Sequence, residues 1–110
     1  MYKVILTSSA KTDLKDIKTY ISTVLNNPNS AKTIVKGITN QLHVLEHFPE
    51  MGTLLMFENS INCYRYLIHR NYISFYHIEN DSVIVDRIMY GRRDYLAILF
   101  GNELNEDSEI

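Results

Sequence analysis

Two apolar stripes of helical period, one directly after the other, constrain this 110-residue chain more than any other feature. Ala10, Leu14, Ile17, Ile21 and Val24 or Leu25 recur at spacings of three and four. That spacing puts them on one face of a helix over about 9–26. Ser8 or Ser9 is placed to cap its start with a hydroxyl. "NNPNS" at 26–30 breaks the pattern, because Pro28 disfavours helical backbone in the residue before it. Asn29 or Ser30 can cap a second helix, whose stripe is Ala31, Ile34, Val35, Ile38, Leu42, Leu45 and Phe48. Pro49 and Gly52 end it. So short a link predicts an antiparallel helical hairpin. Both stripes then need an apolar surface to cover them.

The rest of the chain supplies that surface. "YKVILT" at 2–7 reads as a strand. "EMGTLLMFENSIN" at 50–62 reads as a loop. Three runs rich in aromatic and β-branched residues follow, "CYRYLIH" (63–69), "YISFYHI" (72–78) and "SVIVDRIMY" (82–90). "HRN" and "ENDS" join them as tight turns, and Asn80-Asp81 suits a hairpin. "RDYLAILF" (93–100) predicts a short C-terminal helix with Tyr95, Leu96, Leu99 and Phe100 as its apolar set. The expected fold is α+β: an N-terminal strand, an antiparallel two-helix hairpin packed on one face of a mostly antiparallel four-stranded sheet, and a short C-terminal helix. The second sheet face is expected to be open, concave by sheet twist, and available to a partner.

This length predicts one domain, over 1–102, followed by an acidic flexible tail over 103–110. The tail holds Glu103, Glu106, Asp107 and Glu109, four of the 13 acidic residues. Net charge is −2, and without the tail 11 basic residues face nine acidic ones, or +2. That balance argues against coating nucleic acid by bulk electrostatics and leaves room for a local basic patch. No apolar run is long enough to span a membrane or to serve as a signal peptide, so a cytoplasmic location is expected. The lone Cys63 has no disulfide or CxxC partner and reads as a buried small hydrophobe. His43 and His47 have a metal-like spacing, but no third ligand and no HExxH pattern accompany them. No metal site and no cofactor are expected.

The charged residues on strands admit two readings. Strict alternation puts Arg87 on a face with Val83, Val85 and Met89, and Asp86 on the other with Ile84 and Ile88. Arg87 then either pairs locally or points from the open face toward a target. In "IMYGRRDY" (88–95), Gly91 permits a turn that re-aims Arg92 and Arg93, one of which can pair with Asp94. Eight tyrosines and no tryptophan give the sheet an aromatic bias, and Tyr90 and Arg65 join the arginines as candidate target-binding residues.

Four segments in this order, "A..DL.DI..YI" (10–21), "L..FPEMG" (45–52), "NYISFYHIE" (71–79) and "VIVDRIMYGRRDY" (83–95), resemble the RelE/ParE superfamily of toxins from type II toxin–antitoxin systems. The resemblance covers about Lys3 to Phe100. It implies a growth-inhibiting, plasmid-stabilisation type of toxin, neutralised by a cognate antitoxin protein and needing no metal. RelE-like members are ribosome-dependent endoribonucleases that cut mRNA. ParE-like members are similar in fold and poison DNA gyrase. A metal-free ribonuclease must activate a 2′-hydroxyl, stabilise a charged phosphorane and protonate the leaving oxygen. The strand positions where RelE-type enzymes carry lysines hold Tyr64 and Tyr66, and their mid-strand arginine position holds Ile73. Only Arg93, or Arg92 with a register slip, matches. The ParE-like reading is therefore favoured. A ribonuclease would use Arg93, Arg92 and Tyr95, or an unfamiliar set drawn from His69, His77, Arg65, Arg70 and Tyr95. A degenerate, non-toxic antitoxin-binding module is the third reading.

Overall fold

The computed structural model describes residues 1–55 and 64–91. The chain runs through β1 (Lys3–Leu6), α1 (Ser8–Thr19), a π-helical turn (Tyr20–Val24), α2 (Pro28–Val44), β2 (Thr53–Leu54), β3 (Tyr64–His69), β4 (Tyr72–Glu79) and β5 (Ser82–Tyr90). The predicted C-terminal helix over 93–100, the acidic tail and Cys63 lie outside the described residues.

The cap of α1 is Thr7 rather than Ser8 or Ser9. Its Oγ1 accepts the Ala10 N–H at 3.1 Å. Its own N–H still bonds the Val85 carbonyl at 3.1 Å, so one residue closes β1 and opens the helix. The helix then widens into the π-turn, where the Leu25 N–H reaches the Tyr20 carbonyl five residues back at 3.1 Å. Asn26 turns the chain with φ 51°. The second cap is Asn27, whose Oδ1 accepts the Ser30 N–H at 3.1 Å, rather than Asn29 or Ser30. Pro28 follows at the first helical position, where a missing N–H costs nothing. α2 stops at Val44, before the expected end near 48, and Phe48 is left largely exposed.

The sheet has five strands, not four, in the order β1-β5-β4-β3-β2. The extra strand is Thr53–Leu54, in the stretch expected to be loop, which pairs antiparallel with Tyr66 and Arg65. Two residues make too short a signal for a period-two pattern to register. β1 runs parallel to β5, and β3, β4 and β5 form the predicted antiparallel meander. Both meander turns have two residues, and Arg70 (φ 57°) and Asn80 (φ 55°) open them in the left-handed region.

One sheet face meets the helices. Leu67, Tyr72, Tyr76, Val83, Val85 and Ile88 pack there with Ala10, Ile21, Ala31, Ile38, Leu42 and Leu45. The opposite face carries a second cluster of Leu55, Ile73 and Phe75, flanked by Tyr64, Tyr66 and Met89. Ile73 and Phe75 are 3% and 1% exposed, so this face is not open at its centre as alternation alone suggested.

The loop between α2 and β2 is tied down from the sheet. The Tyr76 hydroxyl accepts the Gly52 N–H at 2.9 Å and donates to the Pro49 carbonyl at 2.7 Å. Arg65 Nη1 donates to the Gly52 carbonyl at 2.9 Å. A Cβ on Gly52 would lie 2.6 Å from the Tyr76 hydroxyl and 2.8 Å from the Tyr66 carbonyl, so only glycine fits. We therefore expect Tyr76→Phe to cost about 1–3 kcal/mol, because it strands a buried N–H and a carbonyl. Gly52→Ala should cost a similar amount through overpacking, about 1–3 kcal/mol. Urea denaturation of each variant measures both; unchanged midpoints would show that the loop is not held this way.

Candidate functional site

The strands carry two polar groupings, one toward the helices and one away from them. The break between them is a β-bulge in β5. Pairing moves from Phe75↔Arg87 to Tyr76↔Val85, which leaves Asp86 as the extra residue. Strict alternation therefore fails at Asp86. Val85 and Ile88 both reach the helix-side cluster, while Met89 joins the opposite one. The expected grouping of Arg87 with Val83 and Val85, and of Asp86 with Ile88, fails across the bulge, while Arg87 and Met89 still pair with the alternate residues Phe75 and Ile73.

Arg87 is engaged by α1. Its Nε and Nη2 donate to the two Asp13 oxygens at 2.7 and 2.9 Å, a bidentate pair. Asp13 Oδ2 also accepts the Ile88 N–H at 2.9 Å. The bond to Asp13 outweighs partial burial and raises the Arg87 guanidinium further above its ordinary value. Nothing in the sequence sets Asp13 apart from the other charged residues of the helix, Lys11, Lys15, Asp16 and Lys18.

Asp86 turns to His77. His77 Nδ1 lies 2.7 Å from Asp86 Oδ2, and its Nε2 lies 3.0 Å from Glu79 Oε2. An imidazole with a carboxylate at each nitrogen satisfies both contacts only as the doubly protonated cation. Burial pulls the ring down, but its bonds to Asp86 and Glu79 prevail and hold it above the ordinary histidine value. Asp86 does not shift the opposite way, as a solvated partner would. Burial raises its carboxyl, and His77 only partly offsets that. Tyr64 stands edge-on to this ring, with centroids 5.6 Å apart. The pair of carboxylates makes the site acidic, which is unfavourable for holding a phosphodiester next to the histidine.

The remaining candidates are dispersed. Arg65 is committed to the Gly52 and Glu50 carbonyls. His69 abuts Gly37 of α2, on the helix side, whereas His77 lies on the other face with Phe75 and Ile73. The imagined acid–base set of His69, His77, Arg65 and Arg70 is therefore not assembled. Tyr90 is exposed at the end of β5, edge-on to Tyr72 with centroids 5.3 Å apart. It borders a shallow concavity of about 540 Å³ with Asp16, Ile17, Tyr20, Leu25 and Tyr72. Tyr20, Val24 and Leu25 are each more than half exposed, at 53, 64 and 55%. The widened π-turn presents them outward. Arg92, Arg93 and Tyr95 lie outside the described residues. Among the described residues no helix is long and apolar enough to cross a membrane.

Two measurements check these assignments. His77 is raised in the folded state, so its contribution is complete below about pH 6.5 and lost as pH rises through the folded value. A melting series from acid-neutral to alkaline pH should fall by about 3–6 °C, the equivalent of about 0.5–1 kcal/mol for a partly exposed pair. His77→Gln should flatten that slope, and an unchanged slope would locate the titration elsewhere. Arg87→Gln should lower the melting temperature by breaking its pair with Asp13; an unchanged melting temperature would make the pair incidental.

The comparisons agree with this architecture. A family model described as "ParE toxin of type II toxin-antitoxin system, parDE" matches residues 4–95. No curated protein matches in sequence. Among solved structures, a chain of the chromosomal ParDE system from P. aeruginosa superposes with TM-score 0.70 at 22% identity, covering 84% of this chain and 98% of that one. A chain of the toxin–antitoxin complex RelBE2 from Mycobacterium tuberculosis gives TM-score 0.54 at 19% identity, covering 81% and 90%. These likenesses speak for the fold, and the match across 4–95 speaks for more: the chain belongs to the ParE toxin family of type II toxin–antitoxin systems.

Proposed function

We propose that this toxin inhibits growth by acting on DNA gyrase and is neutralised by a cognate antitoxin. One observation carries the choice of target. Tyr64, Tyr66 and Ile73 occupy the strand positions where RelE-type nucleases place basic groups, and here they belong to one apolar cluster with Phe75, Leu55 and Met89. Beside that cluster His77 is held between two carboxylates. Among the described residues this cluster offers no charge to a developing phosphorane. It suits a toxin that works by binding its target.

The neutralising partner is an amphipathic segment of the antitoxin. The concavity walled by Ile17, Tyr20, Leu25, Tyr72 and Tyr90 offers aromatic and aliphatic anchors with Asp16 at the rim. Helix-in-groove recognition uses such anchors. Tyr90 is the target- or antitoxin-binding residue of this set.

The ribonuclease alternative retains one favourable feature, the Arg92-Arg93 pair and Tyr95 directly after Gly91 (φ 76°). Two assays separate the readings. Purified protein added to a gyrase supercoiling reaction should block supercoiling and trap cleaved DNA. Primer extension on mRNA from expressing cells should show no new codon-linked ends. Untouched supercoiling together with cuts abolished by Arg93→Ala would transfer the protein to the ribonuclease branch. Growth arrest lost on Tyr90→Ala, with the fold intact, would place Tyr90 in target contact; rescue by antitoxin lost instead would place it in antitoxin contact.

A further inference from the structure

α1 sorts its charges by side. Lys11, Lys15 and Lys18 follow the i, i+4, i+7 spacing that lines one helix flank. Asp13, Asp16 and Tyr20 follow the same kind of spacing on the other flank, toward β5, where Asp13 holds Arg87 and Asp16 borders the aromatic concavity. The apolar stripe of Ala10, Leu14, Ile17 and Ile21 separates the two flanks. The lysine flank turns toward α2. There Lys18 meets Lys32 and Lys36 around a concavity of about 510 Å³ completed by Thr33, Val35 and Thr39. The hairpin thus carries five lysines against two aspartates, and one of those, Asp13, is taken by Arg87. Among the described residues none of the five lysines has an ion pair. All five are exposed.

We infer that this lysine rail is a docking surface for the phosphodiester backbone of duplex DNA. Charge complementarity selects a polyanion. The lining selects the kind of polyanion. A protein partner would need a buried aromatic or aliphatic anchor at the centre of its site, and among the described residues Val35 is the only apolar side chain lining this concavity. Backbone recognition of DNA needs distributed cations and hydroxyls and no such anchor. The lengths also agree. Lys11 to Lys18 spans about 10 Å along the helix axis, which is the rise of about three phosphates on one strand. The sense of this site rests on the gyrase reading, because a toxin that meets gyrase meets the DNA that gyrase holds. The rail and the aromatic concavity flank α1 on opposite sides, so both can be engaged at once.

The test is fluorescence anisotropy with a labelled duplex of about 20 base pairs, from 50 to 200 mM salt. The wild-type chain should bind, with affinity falling on a log–log slope of about −3 to −5. The exposed triple variant Lys18→Glu/Lys32→Glu/Lys36→Glu should lose at least tenfold in affinity at the low-salt end. The triple Gln variant should reduce the slope by about 3. Circular dichroism and melting confirm that both variants are folded, and the Gln set serves if the Glu set is not. No binding at low salt, binding that survives both triple variants, or equal competition by a polyglutamate peptide overturns the inference. The supercoiling assay is read separately. Wild-type protein that binds duplex through the rail yet leaves gyrase untouched keeps the rail and removes the gyrase reading. Gyrase inhibition by wild type without duplex binding does the reverse.

Discussion

Beyond Val85 the edge of β5 opposite β4 has no strand beside it among the described residues, and the fold depends on how that edge is satisfied. β1 pairs with β5 only from Ser82 to Val85, while β5 continues to Tyr90. An unpaired strand edge exposes donors and acceptors that must find partners or water. Here α1 and its cap supply them. The Thr7 N–H bonds the Val85 carbonyl, the Thr7 hydroxyl donates to the Asp86 carbonyl at 2.9 Å, and Asp13 accepts the Ile88 N–H. The helix is thereby fastened to the strand by its own polar atoms, in addition to the apolar contacts of Ala10 and Leu14. Arg87 neutralises the carboxylate that this arrangement brings into a half-buried position.

The same seam divides the sheet into two kinds of surface. Because Asp86 is an extra residue, β5 changes which side chains it sends to each face. Before the bulge Val83 and Val85 pack under the helices; after it Ile88 does. Asp86 is released to clamp His77, and Glu79 closes on the other nitrogen. On the far face this yields an acidic corner next to an apolar patch. On the near face the end of β5 brings Tyr90 to the π-turn. Among the described residues the strands thus carry an acidic corner and an apolar patch on one side and an aromatic edge on the other.

Much of this was legible in the residues. The helical hairpin followed from two long stripes with a proline between them, and periodic signals of that length are hard to mistake. The meander followed from three dense β-runs and two-residue turns. Local geometry hid the rest. The sequence pattern put the caps at Ser8, Ser9, Asn29 and Ser30, but the true caps, Thr7 and Asn27, are chosen by where the chain leaves β1 and by Pro28 taking the first helical position. β2 is too short to show alternation. A bulge inserts one residue and reverses every inference about facing drawn across it, so Arg87 parts from Val83 and Val85, and Asp86 parts from Ile88. Asp13 gave no signal at all, since an aspartate on an exposed helix flank looks the same whether or not a strand arginine reaches it.

The sorted flanks of α1 also govern how the molecule is sensed from outside. At physiological ionic strength charges are screened over about 8 Å, less than the roughly 10 Å width of a helix with its side chains. An approaching molecule therefore does not feel the net −2. On one side of the helix it meets cations, and on the other it meets Asp16 and tyrosines. A small acidic protein can in this way attract partners of opposite character at the same time, each blind to the other's side.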